Sequence, residues 1–252
     1  MKRALHAEWT KMRTVAGPLW LLLGTVATTV ALSAAATSIA NCTADGCGDD
    51  TTKLTLTGVY LGQAPVAILA VLLIGGEYSS GLIRTTLTAV PRRATVLAAK
   101  AVTLTVVVAV GGTVAVLGTV LAGRLILPDL DARALSLSNG PTLRAVFGTV
   151  LYLILIGLLS LGVATAVRDS ATSIGVVLGL LYIVPILSQT ISNPKWQRLL
   201  EKLAPMSSGL AIQATADLES LPINPWAGLG VTAAWAAAAL VLGGLLLRTR
   251  DT

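Results

Sequence analysis

Residues 76–100 read GEYSSGLIRTTLTAVPRRATVLAAK. The segment is polar, with Arg84, Arg92, Arg93 and Lys100 set against a single acid, Glu77. Continuously apolar runs flank it, at about residues 56–75 and 95–123. Each run supplies the roughly 20 residues that a helix needs to cross a bilayer's hydrocarbon. A basic loop between two such runs belongs on the cytoplasmic side of a membrane. Within it, Tyr78–Leu87 can form one short helix with Tyr78, Leu82 and Ile83 toward the membrane. Arg84, Thr85 and the turn Pro91-Arg92-Arg93 then face the cytoplasm. On a regular helix Glu77 lies within reach of Arg84. A short rigid helix joining two spans can act as a lever, since force on it moves both. The alternative is an ordinary basic loop that only sets orientation.

Composition carries the membrane reading to the whole chain. Of 252 residues, 54% are hydrophobic and only 12% are charged, the latter about half the usual fraction in soluble domains. The sequence predicts an all-α, polytopic membrane protein with a single transmembrane domain over residues 1–252. Its six spans fall at about 19–39, 56–75, 95–123, 145–167, 173–191 and 226–247. The continuous apolar runs argue against a β-barrel, whose strands would alternate in polarity within segments of about 10 residues. Small residues dominate the apolar runs, which suits close helix packing.

Ahead of the first run, Leu5, Trp9 and Met12 fall at helical spacing, with Glu8, Lys11 and Arg13 between them. This pattern reads as an amphipathic surface helix, or as a basic tail that sets orientation. The first run, Leu19–Ile39, exceeds the 7–15 residues of a signal-peptide core and reads as an uncleaved span. Asn41–Lys53 follows with an acidic excess and both cysteines, Cys42 and Cys47. In an oxidising compartment they can close a small disulfide loop; free thiols are the other reading. Tyr60 and Gln63 lie in the second span and are candidates to line a pathway. Gln63 is a polar group in hydrocarbon, so it faces protein or a pathway rather than lipid. Lys100 sits near one end of the third span, where its stem can snorkel to the interface. Pro185 marks a kink in the fifth. Between the last two spans, Trp196, Leu199, Leu200 and Leu203 alternate with Lys195, Arg198, Glu201 and Lys202. They predict an amphipathic helix, followed by a second short one at about residues 210–218. The two could dip into the membrane as a lid or lie on its surface.

Six spans place both termini on one side. That side collects eleven basic and four acidic residues, a net +7, against seven basic and eight acidic on the other, a net −1. The bias puts both termini in the cytoplasm, and it accounts for the basic charge without nucleic acid. Chemical motifs are missing from the sequence. There is no G-x-x-x-x-G-K-[ST] phosphate loop and no G-x-S-x-G nucleophile elbow. One histidine cannot build a zinc site, and the span centres are nearly free of ionisable groups. Catalysis and ion-driven transport both lack their residues, so the chain is expected to be neither an enzyme nor a metal protein.

Several short motifs, taken in order, resemble the type-2 ABC transporter permeases. They are Glu8-Trp9-Thr10-Lys11-Met12-Arg13-Thr14 before the first span, then Glu77-Tyr78-Ser79-Ser80-Gly81 with Arg84-Thr85 and Pro91-x-Arg93 after the second. Lys100 at the start of the third span fits as well. Leu82 departs from the family, where many members have Thr. The resemblance implies a membrane subunit, usually of an exporter, paired with a second permease subunit and seated on a separate ATPase that holds ATP and magnesium. It implies that Glu77, Tyr78, Gly81, Arg84, Thr85, Arg92 and Arg93 form a cytoplasmic coupling helix. The N-terminal helix with Glu8, Trp9, Lys11 and Arg13 would meet the ATPase too. The host membrane would be the bacterial cytoplasmic membrane. Weakly polar spans favour an amphipathic or lipid-like cargo such as a drug, antibiotic or lipid. The alternative function is a sensor, scaffold or immunity subunit that binds a membrane-active compound without moving it.

Overall fold

The computed structural model describes residues 2–39, 50–83, 93–127 and 135–249, and among them there is no β-strand. Among the described residues, six helical segments are long and apolar enough to cross a membrane. Helix α1 (Lys2–Thr14) precedes the first of these, α2 (Ala16–Ile39). A short α3 (Thr51–Thr55) leads to α4 (Val59–Ser79). Helices α5 (Arg93–Ile126) and α6 (Gly140–Val167) follow. The fifth span is composite: α7 (Ser170–Leu178), a π-helical turn over Gly179–Ile183, and α8 (Val184–Thr190). Helices α9 (Pro194–Leu203) and α10 (Pro205–Leu210) then lead to α11 (Pro225–Thr249).

Helices α4, α5 and α6 hold the centre, where Val66, Leu69, Leu104, Val108, Ile156 and Leu159 are buried together. Helix α6 packs most extensively on α11, and α2 lies across α4 and α5. The face α2 turns inward is a hydroxyl stripe of Thr25, Thr29, Ser33 and Thr37. Thr25, Thr29 and Thr37 each donate to the carbonyl four residues back, so those hydroxyls are buried without loss. Ser33 Oγ accepts from the Gly58 amide at 3.0 Å. A Cβ on Gly58 or Gly62 would overlap Thr29. That small-xxx-small pair therefore permits the backbone approach. Leu19, Trp20, Leu23 and Leu32 point outward, leaving an apolar face for lipid or another subunit.

Two expectations need correction, and a third takes a specific form. Helix α4 runs on through Tyr78 and Ser79, and Gly81 adopts a positive φ of 72°. This left-handed residue separates Tyr78 and Ser79 from the rest of the helix expected over Tyr78–Leu87, of which residues 84–87 lie outside the described residues. The second short helix between the last spans lies at Pro205–Leu210 instead of 210–218, because Pro205 is preorganised for the first helical position. At Pro185 the chain continues as a π turn into α8. Proline leaves the carbonyl four residues earlier without its N–H, and a wider turn absorbs the misfit. The helix at Pro194–Leu203 forms as expected, with Trp196, Leu199 and Leu203 exposed.

Candidate functional site

Four charged side chains meet where α1, α4 and α5 converge. Lys100, on α5, is fully buried. Its ammonium donates to Glu77 Oε1 at 2.7 Å, to Glu8 Oε2 at 2.9 Å and to the Leu73 carbonyl at 3.2 Å. Three acceptors match the three N–H bonds of an ammonium group. Lys11 closes the cluster, 2.6 Å from Glu77 Oε1 and 3.4 Å from Glu8 Oε1. Two carboxylates and two ammonium groups make the cluster neutral, the condition under which burial of charge is tolerable. Burial lowers the Lys11 pKa, but the hydrogen bond and charge of Glu77, with Glu8, outweigh it and hold the pKa above the usual lysine value. The first 14 residues are thereby tied to the ends of two long helices.

A second, uncharged polar cluster lies along α4. The Tyr152 hydroxyl on α6 donates to Gln63 Oε1. Gln63 Nε2 donates to the Tyr60 carbonyl at 2.9 Å, and the Tyr182 hydroxyl reaches the same oxygen at 2.7 Å. Tyr182 belongs to the π turn. Gln63 thus faces protein and is fully buried. Helix α10 covers this region, since a Cβ on Gly209 would overlap the Tyr152 ring.

At the opposite end of the bundle, Asp50 joins two segments far apart in sequence. Its carboxylate caps α3 through the Lys53 amide and accepts from the Thr215 amide, the Thr215 hydroxyl at 2.6 Å and the Ala216 amide at 2.9 Å. Burial raises the Asp50 pKa, but the Thr215 and Ala216 donors more than compensate and hold it below the usual carboxylate value.

This helical bundle is matched over residues 24–252 by the family model described as ABC-2 family transporter protein. The chain belongs to the ABC-2 transporter family. No match was found among curated proteins. Six apolar helices and this membership make it a multi-pass membrane protein of a transport family.

The ABC-2 chain brings together some of the residues singled out from sequence and separates others. Glu8, Lys11 and Glu77 share one cluster, although the partners found for Glu77 are Lys11 and Lys100. Lys100 does not snorkel; its amine turns inward to the two carboxylates. Tyr78 sits apart, its ring 5.7 Å from the Arg168 guanidinium. Arg168 also donates to the Leu246 carbonyl at 3.2 Å, and Arg93 to the Leu247 carbonyl at 2.6 Å. These two arginines cap the last turns of α11, where carbonyls lack helical partners. Trp9 and Arg13 are exposed. Arg84, Thr85, Arg92, Cys42 and Cys47 lie outside the described residues, and with them the Glu77–Arg84 pair and the disulfide. Tyr152, Tyr182 and Asp50 were not foreseen. A buried Gln63 calls for a partner, and a tyrosine in the middle of an apolar run was the available signal.

Proposed function

We propose that this chain is the membrane subunit of an ATP-driven exporter whose energy enters through the Glu8–Lys11–Glu77–Lys100 cluster. The observation that carries this reading is the complete burial of Lys100 between carboxylates from two other helices. Close-packed interiors have low compressibility and transmit strain, so a push on α1 is passed to α4 and α5 through the cluster. Helix α4 then moves Gln63 and Tyr60, which are bonded to α6 and to the π turn of the fifth span. The motor is a separate ABC ATPase carrying ATP and magnesium. It docks on α1, on Arg84, Thr85 and Arg92 between α4 and α5, and on Arg93 at the start of α5. ATP can shift the permease only through contacts that differ between its two states.

The charge bias of the loops supports a cytoplasmic position for the α1 end, with the bacterial cytoplasmic membrane as host. The exposed apolar faces of α2, α8 and α11 suit lipid and a second permease subunit. The uncharged central cluster suits an amphipathic or lipid-like cargo.

Pulldown of the tagged chain from its native membrane in mild detergent tests the motor. A P-loop ATPase copurifies with the wild type, and Glu77→Ala with Arg84→Ala releases or uncouples it. Recovery of the intact chain with no ATPase removes the motor and favours a membrane sensor or scaffold.

A further inference from the structure

A cavity of about 330 Å³ opens between α1, α2 and α4, close to the charged cluster. Met12, Val15, Pro18, Leu21, Leu72 and Leu73 give it an apolar wall, while Glu8, Lys11 and Glu77 line its polar end. Its size lies at the lower end of the roughly 300–1,000 Å³ typical of small-molecule sites. Gly17 and Gly76 are in the wall, and a Cβ on either would meet nothing within 4 Å. The space beside them is unfilled by the described residues.

The polar end is unbalanced in one respect. Glu77 is 6% exposed, and both lysines bond its Oε1. Its Oε2 is buried without a hydrogen-bond partner among the described residues. A buried acceptor left unpaired costs desolvation energy that an incoming donor recovers. The two lysines also differ. Lys100 is enclosed by protein, whereas the Lys11 side chain is 42% exposed and can turn to water. An ammonium group entering the cavity can therefore replace Lys11 on Glu77 Oε1, and a turn of the carboxylate then brings Oε2 to a second N–H. An anionic head would meet Glu77 and Glu8, and a quaternary ammonium has no N–H to donate.

We propose that this cavity binds a single-chain amphipathic amine, its chain against Leu21, Leu72 and Leu73 and its ammonium on Glu77 in place of Lys11. The volume admits one chain, which favours such an amine over a two-chain lipid. Binding belongs to this chain alone and is read without an ATPase, so it stands or falls separately from the coupling role.

The test uses the purified full chain in phosphatidylcholine nanodiscs, with empty nanodiscs as the partitioning control. Dodecylamine, dodecanol and dodecyltrimethylammonium are titrated by calorimetry. Dodecylamine binds at least tenfold more tightly than the other two. Gly76→Leu, which fills the cavity, weakens it at least tenfold, and Lys11→Met, which removes the competing ammonium, tightens it several-fold. Leu72→Trp blocks the cavity from the exposed side if Gly76→Leu fails to fold. Equal binding of the three probes, or unchanged dodecylamine binding in both blocking variants, overturns the proposal. Competition by phosphatidylethanolamine at membrane concentrations overturns the single-chain assignment in favour of a lipid headgroup.

Discussion

The two ends of the bundle are both held by carboxylates, but the donors differ. At the α1 end, Glu8 and Glu77 share two ammonium groups, one of them fully enclosed. At the α3 end, Asp50 is met by neutral donors: two backbone amides and a hydroxyl from residues 215–216, and the Lys53 amide of its own helix. Removing one member of the first set strands a charge inside protein. Removing Asp50 leaves amides and a hydroxyl that water can reach. The charged set is therefore the less forgiving of the two to the loss of a member.

Breaking the charged end should have the largest effect. Lys100→Met leaves Glu8 and Glu77 without their buried cation, and loss of one partner of a buried ion pair costs about 3–5 kcal/mol. A lowered thermal unfolding midpoint in detergent checks this. Asp50→Ala should cost less, about 0.5–2 kcal/mol, the range for loss of an N-cap side chain, since water takes up the freed donors. Its signature is in pH. The folded-state pKa of Asp50 is depressed, so its contribution is complete above the unfolded value of about 3.9 and is lost as pH falls through the folded one. Hydrogen exchange at the Thr215 and Ala216 amides should accelerate in that acid window for the wild type and be fast at neutral pH in Asp50→Ala. Tyr182→Phe removes one hydroxyl bond to the Tyr60 carbonyl and should cost about 0.5–1.5 kcal/mol. Exposed Arg13 sets the lower bound: Arg13→Ala should leave stability within about 0.5 kcal/mol while weakening recovery of the ATPase in the pulldown.

Much of this architecture was readable from the chain because hydrocarbon imposes a long, continuous apolar pattern that few other structures share. Six helices and the amphipathic pattern at Trp196–Leu203 carried that signal. The polar contacts were harder to read. A lysine near the end of an apolar run looks the same whether it snorkels outward or turns inward, and only the placement of Glu8 beside Glu77 decides that Lys100 turns inward. Helix α4 was readable, but its end was not, since the left-handed Gly81 is set by backbone geometry that composition does not reveal. Asp50 reaches residues 215 and 216 across 165 and more positions of sequence, a pairing with no local trace. Pro185 announced a departure from regular helix, but not that it would be a π turn carrying Tyr182 to Tyr60.

The most direct test of the central claim is a charge exchange in the buried pair, measured in vesicles holding the permease and its ATPase. ATP hydrolysis and amphipath efflux are followed together for Glu77→Lys, for Lys100→Glu and for the two combined. Each single change should retain hydrolysis but lose efflux, and the combination should recover a substantial part of it. If either single variant is folded and exports at the wild-type rate per ATP, the cluster is not the route by which energy enters the bundle.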